Sequence, residues 1–253
     1  MNTINFDIVA DLYDTYVSTQ YDVPFFINET KNVKGKTLEL MCGTGRVSIP
    51  LLQNNIKLTC VDYSGEMLNV FREKIRDKNY DAEIIKMDVT ELHLDEKYEL
   101  IFIPFNSFSE ILSKEKQISA LQKIHEHLQS SGRFICTLHN PKVRIKSADG
   151  TLKLLGKFTM GEESLVIHYV NKYDKERGVV TGYQQYEVYD SGGELKEKRK
   201  MDINFRMIEK HDFEKMIKQT GFNILKIYGD YDYSPFDEDK SPFIIYDMGK
   251  AKV

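Results

Sequence analysis

Residues 38–47 read LELMCGTGRV. An apolar run carrying one acid, Glu39, stops at Gly43 and Gly45, and VSIPLLQ, the pattern of a short apolar helix, follows. A buried strand accounts for the run. Two glycines one residue apart let the backbone turn tightly and approach a ligand closely. Strand, glycine turn and helix in that order open a parallel α/β sheet, and this constrains what the rest of the chain can build.

The next hundred residues keep the rhythm. IKLTCVD reads as a second strand, and Ser64 is placed to cap a helix with Met67, Leu68, Phe71 and Ile75 on one face. AEIIKMDV and YELIFIPF are strands three and four. Ile118, Leu121, Ile124 and Leu128 mark an amphipathic helix ending near Gly132, and RFICTLHN is strand five. From Gly150 to about Ile208 the helical period is lost. ESLVIHYVNKY, VVTGYQQYEVY and ELKEKRKMDINF are strand-like, separated by the turn sequences DKERG and DSGG. Residues 209–221 return to helix, and the remainder closes as two strands. The expected fold is a Rossmann-like, seven-stranded, mostly parallel sheet with helices on both faces, plus an inserted antiparallel β-meander. The expected division is 1–149 with 209–253 as the main domain and 150–208 as an acceptor-binding cover. Residues 1–34, rich in aromatics and acids, read as short helices forming a flap.

The charge balance narrows the partners. Lys and Arg total 35 and Asp and Glu total 39, a net charge of −4, which speaks against a nucleic acid partner. Lys196, Lys198, Arg199 and Lys200 read as a charged strand edge that resists aggregation. Cys42, Cys60 and Cys136 are odd in number, widely spaced and set in apolar runs. They read as buried free thiols of a reducing compartment, with no metal-type spacing. His125 and His127, two apart on a helix, face different directions, and no metal site is expected. The N-terminus lacks a signal-peptide pattern, and no apolar run approaches the ~20 residues of a membrane span. A cytoplasmic protein with no membrane partner, monomer or homodimer, is expected.

The ligand of the glycine turn comes from the neighbouring motifs. A dinucleotide site wants G-x-G-x-x-G, but the third position falls on Ser48, and no GK[ST] follows for a phosphate loop. LELMCGTGR resembles the first motif of class I S-adenosylmethionine-dependent methyltransferases, hh(D/E)hGCGTG. Glu39 stands at the acid, and Cys42, Gly43, Thr44 and Gly45 form the turn. Met41 occupies the place of the motif's first glycine. CVDYSGEML resembles the second motif, MDVTEL the adenine-contacting stretch, and PFNSF follows strand four.

The resemblance implies S-adenosylmethionine as cofactor and gives each motif a role. Glu39 would meet the amino group of the methionine moiety. Asp62 would accept from both ribose hydroxyls, with Tyr63 and Met67 beside the adenine. Met87, Asp88 and Val89 would line the adenine edge, and Phe105, Asn106 and Ser107 would lie beside the sulfonium. Arg46, Tyr13 and Tyr21 join the cofactor set. The tyrosine-rich N-terminus and the meander resemble small-molecule N-methyltransferases of the glycine and amino-sugar type. The implied reaction is in-line methyl transfer to a small-molecule acceptor at nitrogen, with His139 or Tyr13 handling the proton. The alternatives are a methyltransferase acting on tRNA or protein, a non-catalytic module that binds the cofactor, and an NAD-dependent oxidoreductase.

Overall fold

Parallel strands form where the apolar runs lie. The computed structural model describes residues 4–251. The elements of the main unit are α1 (Ala10–Tyr16), α2 (Val23–Thr30), β1 (Thr37–Leu40), α3 (Ser48–Gln53), β2 (Leu58–Asp62), α4 (Gly65–Ile75), β3 (Ala82–Lys86), β4 (Tyr98–Ile103), α5 (Lys114–His127), β5 (Leu128–His139) and the short α6 (Pro141–Arg144). Four long strands follow: β6 (Asp149–Met160), β7 (Glu163–Asp174), β8 (Val179–Tyr189) and β9 (Leu195–Arg206). The chain then closes with α7 (Lys210–Gln219), β10 (Phe222–Tyr228) and β11 (Phe243–Lys250).

The large sheet has seven strands in the order β10-β11-β5-β4-β1-β2-β3, and β6 to β9 form a separate antiparallel sheet in sequence order. Strands β1 to β5 pair in parallel, while β11 pairs antiparallel with β5 and with the edge strand β10. The expected fold class holds. Because β1 lies between β2 and β4, the winding reverses there. The crevice outside the carboxyl ends of β1 and β4 is where open α/β sheets bind ligands. Both faces of this sheet are covered, one by a cluster around Phe108, Phe134 and Phe213, the other by a cluster around Phe26, Phe71 and Phe102.

One local expectation fails. Gly132 does not end α5; it lies inside β5. A Cβ there would sit 3.0 Å from the Glu99 carbonyl oxygen and 2.9 Å from Leu128, so the glycine lets β5 pass close to β4.

The N-terminal segment bridges the two sheets. Ile4, Val9 and Leu12 share a core with Leu165, Ile167 and Tyr186 of the small sheet. On the other side Asp14 accepts from the Thr44 hydroxyl at 2.6 Å and pairs with Lys74 at 2.7 Å. The tightest link is Arg46, which donates two bonds to Asp22, each 2.6 Å, and a third to the Thr19 carbonyl at 2.9 Å. Its guanidinium stacks 4.4 Å over the Phe105 ring. No helix among the described residues is long and apolar enough to cross a membrane.

The Asp22 side chain is fully buried. Asp22→Ala leaves the Arg46 charge without its partner and lowers the unfolding free energy by about 3–5 kcal/mol. Urea denaturation checks this; a loss under about 1 kcal/mol is what an exposed pair would give.

Candidate active site

The turn after β1 is the most constrained backbone in the molecule. The Cys42 amide continues the β1–β2 ladder by donating to the Val61 carbonyl at 3.1 Å. Around it Met41, Gly43 and Gly45 all take positive φ, at 60°, 56° and 81°. Gly43 and Gly45 adopt this at little cost, but Met41 takes the left-handed conformation with a Cβ, at a cost of roughly 1–3 kcal/mol. Asp62, the last residue of β2, anchors the turn. One carboxylate oxygen accepts from the Gly43 amide and the other from the Ser64 amide, both at 2.8 Å. A second strained turn follows β4, where Phe105 and Asn106 have φ of 57° and 64°. The Asn106 amide donates to Thr137 Oγ1 at 3.0 Å, and a single helical turn, Ser107–Glu110, follows.

Two cavities open over these turns. The smaller, about 40 Å³, is lined by Tyr13, Glu39, the 41–44 backbone and Phe105. The larger, about 460 Å³, is lined by Asp62, Tyr63, Met87–Val89 and Glu110, and on its far wall by Val179 and Arg206 of the small sheet. Met41 lines both. The larger cavity carries both signs, with Asp62, Asp88, Glu110 and Glu115 on its wall beside Lys114, Lys116, Arg177 and Arg206. Burial pushes the Glu39 carboxyl up to about 8, although the Ser48 hydroxyl donates to it at 2.6 Å. Burial, then the charge of Asp62, pushes Glu110 up to about 8 as well. Burial also raises Asp62, against the two amides that favour its charge. In the smaller cavity Arg46 is held by Asp22.

The acceptors of this site suit a ligand with a vicinal diol and an ammonium, with Asp62 in the larger cavity and Glu39 in the smaller.

Comparison with known proteins agrees. Residues 37–132 match a family described as methyltransferase domain. YqeM of Bacillus subtilis (strain 168), a provisionally named methyltransferase, is 24% identical over 234 residues, covering 88% of each chain. An S-adenosylmethionine-dependent methyltransferase structure from Clostridium acetobutylicum ATCC 824 superposes with a TM-score of 0.80 at 22% identity, covering 98% of this chain and 99% of that one. The sugar N-methyltransferase KedS8 from Streptoalloteichus sp. ATCC 53650 superposes with a TM-score of 0.76 at 13% identity, covering 96% and 92%.

Residues 37–132 form a methyltransferase domain, and its cofactor is S-adenosylmethionine.

In the methyltransferase the smaller cavity brings together Tyr13, Glu39, Cys42, Gly43, Thr44, Arg46, Phe105 and Ser107. The larger gathers Asp62, Tyr63, Met87, Asp88 and Val89. Asp88 also caps the turn that follows it, accepting from the Thr90 amide and hydroxyl at 2.8 Å each.

Five expected residues line neither cavity. Gly45 packs against Phe71, so close that a Cβ would lie 2.5 Å from the ring. Met67 is buried beneath the turn, its terminal methyl 3.2 Å from where a Gly43 Cβ would be. Asn106 is buried with its side-chain oxygen unpartnered. Tyr21 is 47% exposed and stacks on Phe243 at 5.8 Å. His139 ends β5 against the Phe205 ring, 5.5 Å away. Burial and Arg144 push its imidazole down to about 3, which makes it a weak base there.

Sequence reasoning missed Glu110, Val179 and Arg206. Glu110 had a signal, as the one acid in the apolar stretch PFNSFSEIL. The other two depend on which faces of β8 and β9 point inward.

The strain at Met41 is measurable. Ala ordinarily beats Gly by about 0.5–1 kcal/mol through the entropy of the unfolded chain. At position 41 the order inverts: Met41→Gly is more stable than Met41→Ala by about 1 kcal/mol in chemical denaturation. The ordinary order would show an unstrained turn.

Proposed function

We propose that this enzyme methylates a small molecule at nitrogen. The observation that carries the reading is the wall of the larger cavity. Val179 and Arg206 of the four-stranded sheet face the strand ends of the large sheet across it. They enclose a volume within the roughly 300–1,000 Å³ range of small-molecule sites. The name of KedS8, a sugar N-methyltransferase, describes that protein; its likeness in fold is consistent with the same acceptor class here.

When bound, the cofactor supplies an activated methyl group with a neutral leaving group. The protein's residues are left with binding and positioning, which in favourable cases contributes up to about 7–11 kcal/mol. Asp62 receives the ribose hydroxyls, since a carboxylate offers two acceptors to a vicinal diol. Met87, Asp88 and Val89 border the adenine. Glu39, in the smaller cavity, takes the ammonium of the methionine end. The backbone of 42–44 and the side chains of Phe105 and Ser107 enclose that end, and Tyr13 closes it from α1. The N-terminal segment and the small sheet exclude water from the point of transfer.

The test is product mass. The purified enzyme is incubated with S-adenosylmethionine and, separately, with amino sugars, amino acids, simple polyamines, bulk tRNA and a cell-free protein extract. The expected result is a gain of one or two methyl masses on a small amine, with turnover abolished by Asp62→Ala. Methylation confined to tRNA or to protein would overturn the proposal.

A further inference from the structure

We infer that Glu110, in the wall of the larger cavity, is the group that meets the positive charge of the amine acceptor and takes its proton. The inference rests on the proposed N-methyl transfer and adds the residue that selects the acceptor.

Its position follows from its neighbours. Glu110 lines the larger cavity together with Asp62 and Tyr63. The phenols of Tyr63, in that cavity, and of Tyr13, in the smaller one, are both raised first by burial and next by the charge of Glu110. Glu110 thus stands in the wall of the larger cavity, which meets the smaller at Met41. The two buried carboxyls of the site, Asp62 and Glu39, have donors. Asp62 accepts two backbone amides and Glu39 accepts a serine hydroxyl. Among the described residues the Glu110 carboxyl feels burial and the charge of Asp62, with no hydrogen bond to hold it. It is partly buried, and an unpaired carboxyl facing a cavity marks a candidate functional group.

Its placement is built in. The left-handed Phe105 and Asn106 redirect the chain after β4. Phe108 then locks the following turn into the core against Phe213 at 5.6 Å, leaving Glu110 to face the cavity.

The chemistry balances. An acceptor arriving as an ammonium gives one N–H proton to the Glu110 carboxylate, and its nitrogen regains a lone pair. That pair forms the new N–C bond as the S–C bond breaks and its electrons return to sulfur. The product leaves as a methylated ammonium, and the Glu110 carboxyl releases its proton to solvent. Burial raises the proton affinity of Glu110 above that of an ordinary carboxyl, and the positive charges of cofactor and acceptor favour its ionised form when both are bound.

The test needs no knowledge of the acceptor. Sinefungin carries an amine in place of the transferable methyl, whereas S-adenosylhomocysteine has neither. Both are titrated calorimetrically into the wild type and Glu110→Gln at pH 7. The expected result is that Glu110→Gln weakens sinefungin roughly 10-fold or more while leaving S-adenosylhomocysteine within about twofold. Equal weakening of both would mean that Glu110 supports the cofactor or the fold, and no change in either would mean that it does not face the transferred group. Each of these overturns the inference. Failure of the wild type to bind either compound would instead sink the cofactor assignment beneath it.

Discussion

The hydrogen bond from the Gly43 amide to Asp62 holds the molecule's working end together. It ties the turn after β1 to the last residue of β2, at 2.8 Å, where the winding of the sheet reverses. The same carboxylate accepts the Ser64 amide and so fixes the start of α4, whose cap is the Ser64 hydroxyl itself. With these amides satisfied, the turn can hold three left-handed residues, one of them Met41. That backbone path shapes both cavities. The arrangement sets the acceptors of Asp62 and Glu39 in the walls of the two cavities where the cofactor would lie.

A second constraint closes the site from outside. The segment before β1 is pinned to the turn through Arg46 and Asp14 and to the small sheet through Leu12, Tyr16 and Asp11. Tyr16 and Tyr186 share a hydroxyl contact at 3.0 Å, and Arg199 of β9 grips Asp11 through both oxygens. The small sheet is thus fastened to the N-terminal helices, and these helices are fastened to the glycine turn. A change in how the small sheet sits would reach the cofactor side through α1.

Much of this was legible in the sequence, for identifiable reasons. Buried parallel strands announce themselves as apolar runs, and glycines with a following helix mark the turn, so β1 to β5 and the site motifs at their ends could be read in order. Ser64 acts as the cap its position suggested. What could not be read depended on side-chain direction or on long-range packing. Gly132 resembles a helix terminator locally but serves a close strand contact with Glu99. His139 follows a strand at the right end of the sheet, yet it turns toward Phe205 and Arg144. Tyr21 and Tyr13 look alike in sequence, but only Tyr13 lines a cavity. The meander's contribution, through Val179 and Arg206, follows from strand register, which alternation alone does not fix in strands with both faces half-buried.

Titrating S-adenosylmethionine into the wild type and Asp62→Ala, with NAD as the control, separates the two cofactor chemistries most directly. Saturable binding of the sulfonium cofactor, weakened roughly 10- to 100-fold by the substitution and with no heat from NAD, is the result that this geometry requires. Binding of NAD, or S-adenosylmethionine affinity indifferent to Asp62, would contradict it.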